Sequence, residues 1–386
     1  MSLFAPVNPE PLTRLGYYRY LAPRASILVS PLCLGGLSIG DKWAAHGMGA
    51  MDKESSFRLL DAYFAAGGNF IDTANYYQDG SSEEFIGEWA ESRGIRDQLV
   101  IATKYSQHWD DDSVERKVRA NYMGNSVKSL ALSVEASLKK LRTTYIDIFY
   151  CHNWDNYTSV EEIMDALHNL VVSGKVLYLG VSNMPAWLVL KANEYARYNG
   201  KTPFVIYQVK WSVLERDTER DILPMCRHEG IALAPYGVLA AGHIRTDEEE
   251  ERRLHSGELG RQILPGQKWK RTPEERAVCQ VLERIAKEVG AKSITAVAIA
   301  YVMQKAPFIF PIIGGRKVEQ LEANVEALNI HLTEEHFKLI DDASPFQPGY
   351  PVNVIGEYGQ VPRRHFMFAK VDTQPLLAAI KPPRKN

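Results

Sequence analysis

Eight short apolar runs, each followed by a segment with helical signals, limit the fold of this chain more than any other feature. The runs are Leu32–Gly36, Asn69–Asp72, Leu99–Thr103, Ile146–Cys151, Val176–Ser182, Phe204–Gln208, Ile231–Tyr236 and Phe308–Ile312. Between them, Asp52 offers an N-cap to a segment with Phe57, Leu60 and Tyr63 at helical spacing, closed by Gly67-Gly68. Residues 125–141 place Val127, Leu130, Val134, Leu138 and Leu141 on one face. Ser159 and Glu162 have capping-box spacing, and Thr272-Pro273-Glu274-Glu275 puts proline at the first position of another helix.

Strands that alternate with helices form a parallel sheet with crossover connections, and eight such units predict a closed (β/α)8 TIM barrel of the α/β class. The competing open sheet carries a glycine fingerprint after its first strand. Here that position reads Leu34-Gly35-Gly36-Leu37-Ser38-Ile39-Gly40, which is not GxGxxG, and no GxxxxGK[ST] loop occurs. The barrel is assigned to residues 31–344. Residues 1–30 read as an aperiodic, Pro-rich arm on the surface, and 345–386 as an extension that covers an end of the barrel. Two long segments interrupt the repeat, His108 to Asn121 and Ala240 to Arg271. Both follow strands, on the face where barrel enzymes place their sites, and read as walls or lids.

Composition excludes several classes. A formal net charge of −2 gives no reason to expect nucleic acid or an anionic membrane as partner. The basic end Lys381-Pro382-Pro383-Arg384-Lys385 reads as a solvated tail. Cys33, Cys151, Cys226 and Cys279 form no CxxC pair, so neither a disulfide framework nor structural zinc is expected. No apolar run approaches the ~18 residues of a membrane span. The N-terminus lacks the apolar core of a signal peptide, which discounts the sequon Asn156-Tyr157-Thr158 and predicts a cytoplasmic protein. His331-Leu332-Thr333-Glu334-Glu335-His336 lacks HExxH spacing, and His228, His243 and His255 show no ligand pattern, so no metal site is expected.

The chemistry lies at the strand ends. Asp72 ends the second run, Lys104 the third, His152 the fourth, Ser182-Asn183 the fifth, Gln208 the sixth and Tyr236 the seventh, while Gly314 follows the eighth. In a barrel those ends converge around one mouth. Taken singly, Asp72 could cap a helix, Lys104 could serve a structural ion pair and His152 could be a core histidine; their joint order argues for a site.

With these residues the chain resembles the aldo-keto reductase superfamily. Asp72-Thr73-Ala74-Asn75-Tyr76-Tyr77 is similar to its DTAxxY motif, and the spacing from Asp72 selects Tyr77, not Tyr76. The strands ending in Lys104, His152, Gly180-Val181-Ser182-Asn183 and Gln208 follow in the family's order. Ile39-Gly40-Asp41-Lys42-Trp43, Gly47-Met48-Gly49-Ala50-Met51-Asp52-Lys53 and His152-Asn153-Trp154-Asp155 look like the fungal aryl-alcohol dehydrogenase and norsolorinic acid reductase-like branch. The resemblance implies an NADP(H)-dependent oxidoreductase that reduces an aldehyde or ketone, with Asp72, Tyr77, Lys104 and His152 as catalytic set. The same fold also serves some cofactor-binding regulatory subunits, and a pathway step other than simple reduction stays open.

The residue types suit that chemistry. A hydride arriving at a carbonyl carbon leaves an alkoxide that needs a proton. Tyrosine is a weak acid with a reference pKa of about 10, and a nearby ammonium favours its anion. Lys104 would supply the charge, Asp72 would hold Lys104, and His152 would polarise the substrate oxygen.

The resemblance also implies a cofactor site without a Rossmann fold. Gly35, Gly36 and Asp72 would approach the nicotinamide ribose; Ser182, Asn183 and Gln208 would bond the carboxamide; Tyr236 would stack on the ring, with Gly237 and Leu239 beside it. Gly314, Arg316 and Lys317 match a loop around the 2′-phosphate, with Gln320 and Asn324 on the adenosine. Ala323 departs from the acidic residue of several relatives. Aromatic residues Trp43, Tyr76, Tyr105, Trp109, Trp154 and Trp211 follow strands on the same face. They predict a flat apolar substrate, with Trp43, Tyr105, Trp154 and Trp211 as its walls; taken with the resemblance, this implies an aryl aldehyde or aromatic polyketide carbonyl.

Overall fold

The computed structural model describes residues 10–44, 51–109, 117–256, 269–359 and 368–384. Gly47 to Ala50 and parts of both long loops lie outside these residues. An antiparallel hairpin, β1 (Arg19–Ala22) and β2 (Ala25–Val29), precedes the barrel strands. Those strands are β3 (Cys33–Gly35), β4 (Phe70–Asp72), β5 (Val100–Tyr105), β6 (Ile146–Cys151), β7 (Val176–Ser182), β8 (Phe204–Lys210), β9 (Ala232–Tyr236) and β10 (Ile312–Ile313).

Their order is β10-β3-β4-β5-β6-β7-β8-β9, parallel throughout. Ile309 closes the ring by pairing with Leu233: the Leu233 amide donates to the Phe308 carbonyl at 2.9 Å, and the Phe310 amide to the Leu233 carbonyl at 2.8 Å. The last strand therefore begins later than the apolar run 308–312 suggests. Its first residues make a single bridge, and Phe308 itself has φ 57°, a turn rather than a strand conformation.

Helices fill the outer layer. They are α1 (Lys53–Ala65), α2 (Ser81–Arg93), α3 (Val127–Lys140), α4 (Val160–Val172), α5 (Ala186–Tyr198), α6 (Ile222–Glu229), α7 (Asp247–Ser256), α8 (Pro273–Val289), α9 (Ile294–Gln304), α10 (Val318–Val325) and α11 (Glu334–Ala343). Local capping explains several starts. The side chains of Asp52, Ser126, Ser159 and Thr272 accept from backbone amides three residues on. Thr272 and Glu275 complete a reciprocal capping box. Val127, expected on the apolar face of α3, is exposed, because it is the first helical residue and lies beyond the packed turns.

Strand parity sorts the core into two layers. In β5, Val100 and Ala102 face the barrel interior, while Ile101 and Tyr105 face the helices. In β6, Ile148 and Tyr150 point inward and Phe149 and Cys151 outward. The supposed arm does more than lie on the surface. Leu21, Ala22, Ala25 and Val29 of the hairpin pack with Phe70, Val100, Val205 and Ala232, which open their strands or lie next to the opening residue. The hairpin thus plugs the end of the barrel opposite the strand C-termini.

After β9 an ion network organises the long loop. The buried Arg245 pairs with Glu250, Arg271 pairs with Glu250 and Asp247, and Arg276 also holds Asp247. In the extension, the Phe346 ring packs against the guanidinium groups of Arg216 and Arg220. Further on, Lys381 donates to the Leu332 carbonyl at 2.9 Å. No helix of the described residues is long and apolar enough to cross a membrane.

Leu21 is fully buried under the barrel. Leu21→Ala is expected to cost about 2–5 kcal/mol, read as a lower denaturant midpoint with an unchanged slope. A variant as stable as the parent would show that the hairpin does not seal the core.

Candidate active site

Four strands deliver the polar residues to one point. Asp72 is the last residue of β4, Lys104 lies in β5, His152 follows β6 and Gln208 lies in β8. Parity sets their direction: Val100, Ala102 and Lys104 share the inward face of β5. The ammonium of Lys104 is fully buried. It donates to Asp72 Oδ2 at 2.7 Å, to the Thr73 carbonyl at 2.6 Å and to Tyr77 Oη at 3.4 Å. Gln208 Nε2 donates to Asp72 Oδ1 at 2.8 Å. Burial pushes the Asp72 carboxyl above its ordinary range, with Lys104 and Gln208 pulling against it.

The Tyr77 ring stands edge-on to His152, centroids 6.0 Å apart. Burial, reinforced by the charge of Lys104, holds His152 well below the ordinary histidine range. Its imidazole is therefore neutral at neutral pH. Its Nδ1 is buried and has no hydrogen-bond partner among the described residues. Tyr76 lines the same space, but burial, and then the neighbouring Tyr77, push its phenol upward.

A cleft of about 980 Å³ runs from these residues across the barrel mouth. It is lined by Gly35, Asp72, Tyr77, His152, Asn183 and Gln208, by Tyr236, Gly237 and Leu239 after β9, and by Gly314, Arg316, Gln320 and Asn324 after β10. Ser182 lies just beneath, buried, its hydroxyl without a partner among the described residues. Gly35 has no room for a side chain, since a Cβ would sit 2.8 Å from Ile312.

Gly36 does not line the cleft. It is packed against the Asp72 carbonyl and Ser82, whose hydroxyl donates to the Gly36 carbonyl at 2.9 Å. Lys317 is exposed and also outside the lining, because it stands at the N-cap of α10 and only its amide turns inward, to Gln320 Oε1.

The aromatic walls need correction. Tyr105 is fully buried and stacked on Phe149, with ring centroids 5.4 Å apart. Because Lys104 points inward, its neighbour must point to the helices. The same parity acts after β8: Gln208 faces in, so Val209 and Trp211 face out. Trp211 is fully buried, its indole donating to Glu219 Oε1 at 3.1 Å. Trp154 packs on the outer core, and Trp109 lies against Tyr122 and the ammonium of Lys140. Trp43 reaches the cleft only through Tyr76, ring centroids 5.5 Å apart.

The sequence reading overlooked a second buried ion pair. Glu83 of α2 accepts from Thr103 Oγ1 at 2.6 Å and faces Lys140 of α3 at 2.7 Å. Lys140 also donates to the Asn75 carbonyl at 2.9 Å, so it grips the Tyr77 loop from outside while Lys104 grips it from inside. Also overlooked were Lys292, Ser293 and Thr295 at the start of α9, which line the cleft. Ser293 is the N-cap of that helix, the one signal that could have drawn attention to it.

Comparisons with known proteins agree with this geometry. The profile of the aldo/keto reductase family matches residues 31–345. The chain is 56% identical to the aryl-alcohol dehydrogenase [NADP(+)] of Phanerodontia chrysosporium over 386 residues, all of both chains. It is 50% identical to norsolorinic acid reductase A of Aspergillus parasiticus over 352 residues, 91% of this chain and 87% of that one. To norsolorinic acid reductase B of Dothistroma septosporum it is 51% identical over 337 residues, 87% and 83% of the two chains. The chain with a buried lysine, an aspartate, a tyrosine and a histidine at the mouth of its barrel belongs to the aldo/keto reductase family.

Proposed function

We propose that this protein is an NADP(H)-dependent reductase of aryl aldehydes or aromatic ketones, acting in the cytoplasm. The observation that carries the reading is Lys104, buried, fixed by Asp72 and within 3.4 Å of Tyr77 Oη at the inner end of the cleft. The relatives named for aryl alcohols and norsolorinic acid support the substrate class.

The donor set fits a nicotinamide. A carboxamide needs one donor for its carbonyl and acceptors for its amino group. Both amide hydrogens of Asn183 are committed, to the His152 carbonyl at 3.2 Å and Asn153 Oδ1 at 2.8 Å. Gln208 spends its Nε2 on Asp72. Each amide therefore turns its oxygen to the ligand, Asn183 Oδ1 with one lone pair beyond the bond it accepts from Tyr236 Oη at 3.3 Å, and the unpartnered Ser182 hydroxyl offers the donor. Tyr236 would cover the ring, and the side chain of Arg316 would meet the 2′-phosphate. When bound, the nicotinamide supplies the hydride.

The protein's own part is proton chemistry and electrostatics. Tyr77 Oη gives its proton to the substrate oxygen, and the ammonium of Lys104 stabilises the phenolate left behind. Asp72, Gln208 and the Thr73 carbonyl keep that ammonium in place. His152, held neutral, orients the substrate oxygen.

With NADPH, a benzaldehyde derivative and a polycyclic aromatic ketone should be reduced in preference to open-chain aldoses at matched concentration. Tyr77→Phe should abolish turnover while NADPH still quenches protein fluorescence as in the parent. Preference for aldoses would overturn the substrate class, and normal turnover by the variant would overturn the role of Tyr77. NADPH should be preferred to NADH, and Arg316→Ala should erode that preference; equal catalytic efficiency with both cofactors in the parent rejects the phosphate site.

The depressed His152 also makes stability depend on pH. The unfolded histidine takes up its proton near pH 6.5 and the folded one resists, so stability falls as pH drops below that value. Between pH 7.5 and 5.5 the parent should lose more unfolding free energy than His152→Gln, by at most about 1.4 kcal/mol per pH unit. Equal losses would mean that His152 titrates freely in the fold.

A further inference from the structure

The residue after Tyr77 is Gln78, and its backbone is unusual. Gln78 and Asp79 have φ of 53° and 51°, and Gly80 follows at 93°, three left-handed residues in a row. For side chains other than glycine this conformation is disfavoured and persists only where surroundings hold it. What holds it is visible. The Gln78 side chain is fully buried. Its Nε2 donates to the Leu37 carbonyl at 3.0 Å, and its Oε1 accepts from the Trp43 amide at 2.8 Å.

Those two bonds bracket the loop after β3. Between them lies Gly40, whose φ of 121° and close approach to Gln78 leave no room for a side chain: a Cβ there would sit 2.6 Å from Gln78 Cβ. Ser81 adds a third tie, accepting from the Asp41 amide at 3.3 Å. The loop so fastened carries Leu37, which lines the cleft, and Trp43, which packs on Tyr76. Tyr76 in turn lines the cleft, with its ring 5.1 Å from Tyr77 and 5.6 Å from His152.

We propose that Gln78 is a positioning residue for substrate selectivity, fixing the Leu37–Trp43 loop so that Trp43 braces Tyr76 as the aromatic wall beside the reacting carbonyl. This deepens the reading of the protein as an aryl carbonyl reductase and rests on it. Although Gln78 follows Tyr77 in the chain, both ends of its side-chain amide are bonded to the Leu37–Trp43 loop. It acts through Trp43, so its loss disturbs recognition of a flat ring rather than the chemical step.

The test compares the parent with Gln78→Gly, Trp43→Ala and the double variant, using a dimethoxybenzaldehyde and propanal with NADPH. Glycine accepts the left-handed backbone and deletes both hydrogen bonds. Gln78→Gly should raise KM for the aryl aldehyde on the order of tenfold, leave kcat within about twofold, and change kcat/KM for propanal less than about twofold. The double variant should be no worse than Trp43→Ala alone, since the two residues act in series. Equal loss on both aldehydes, a fall in kcat alone, or additive effects would overturn the proposal. Gln78→Asn, which tolerates the left-handed backbone and stays neutral but is one methylene too short to keep both bonds, should fall between parent and glycine and serves if Gln78→Gly does not fold. An activity-free readout separates this proposal from the assigned reaction. The Trp43 fluorescence, taken as the difference from the matching Trp43→Phe protein, should become more accessible to acrylamide in Gln78→Gly. Unchanged accessibility overturns the role of Gln78 even if the parent reduces both aldehydes, and a parent that reduces neither, with accessibility increased, sinks the assigned reaction instead.

Discussion

A lysine ammonium with no exposed surface, paired with an aspartate at 2.7 Å, is the constraint around which this barrel is built. A buried charge costs several kcal/mol unless its partners are complete, and removing one partner typically costs about 3–5 kcal/mol. The partners of Lys104 come from elements far apart in sequence. Asp72 and the Thr73 carbonyl belong to β4 and the turn after it, and Gln208, which completes Asp72, belongs to β8. The network is satisfied only when the sheet has curled far enough to bring β8 opposite β4. Stability and chemistry thus share one arrangement, and a native lysine here reports a closed barrel.

Not every polar group at the mouth is satisfied. His152 Nδ1 and Ser182 Oγ are buried without partners among the described residues. Buried polar atoms are nearly always bonded, and in the function proposed above a bound ligand would complete these two. The ion pair of Glu83 and Lys140 is filled from within the fold: Glu83 also accepts from Thr103 and Lys140 also donates to the Asn75 carbonyl, so the pair ties α2 and α3 to β5 and to the loop before Tyr77.

What the sequence made legible followed from periodicity and order. Alternating runs identified the barrel, and the strand-end residues were found because several chemically matched types occur in sequence order. The hairpin was not read, since four or five residues per strand amid proline and glycine give little period to detect. The aromatic walls failed for a reason the sequence did contain: once Lys104 and Gln208 face inward, Tyr105 and Trp211 must face the helices. Exposure on one end of a barrel says nothing about which layer a ring enters. Gln78, Glu83 and Lys140 were illegible in principle. Their roles rest on contacts across 20 to 65 residues, as between Thr103 and Glu83 or Lys140 and Asn75, and on a backbone conformation that no side-chain type announces.

The hairpin plug makes the barrel a blind-ended vessel. With Leu21 and Val29 packed against Phe70 and Val100 at the floor, the cleft beside Tyr77 and His152 opens by way of the mouth, where a ligand would enter. A ligand filling the mouth would displace solvent from the cleft side of Tyr77, while Lys104, already fully buried, keeps its partners. The dielectric beside the phenol would then fall, and the charge of Lys104 would act on it more strongly. The distances need not change for this: occupancy alone would strengthen a field that the fold has already aimed.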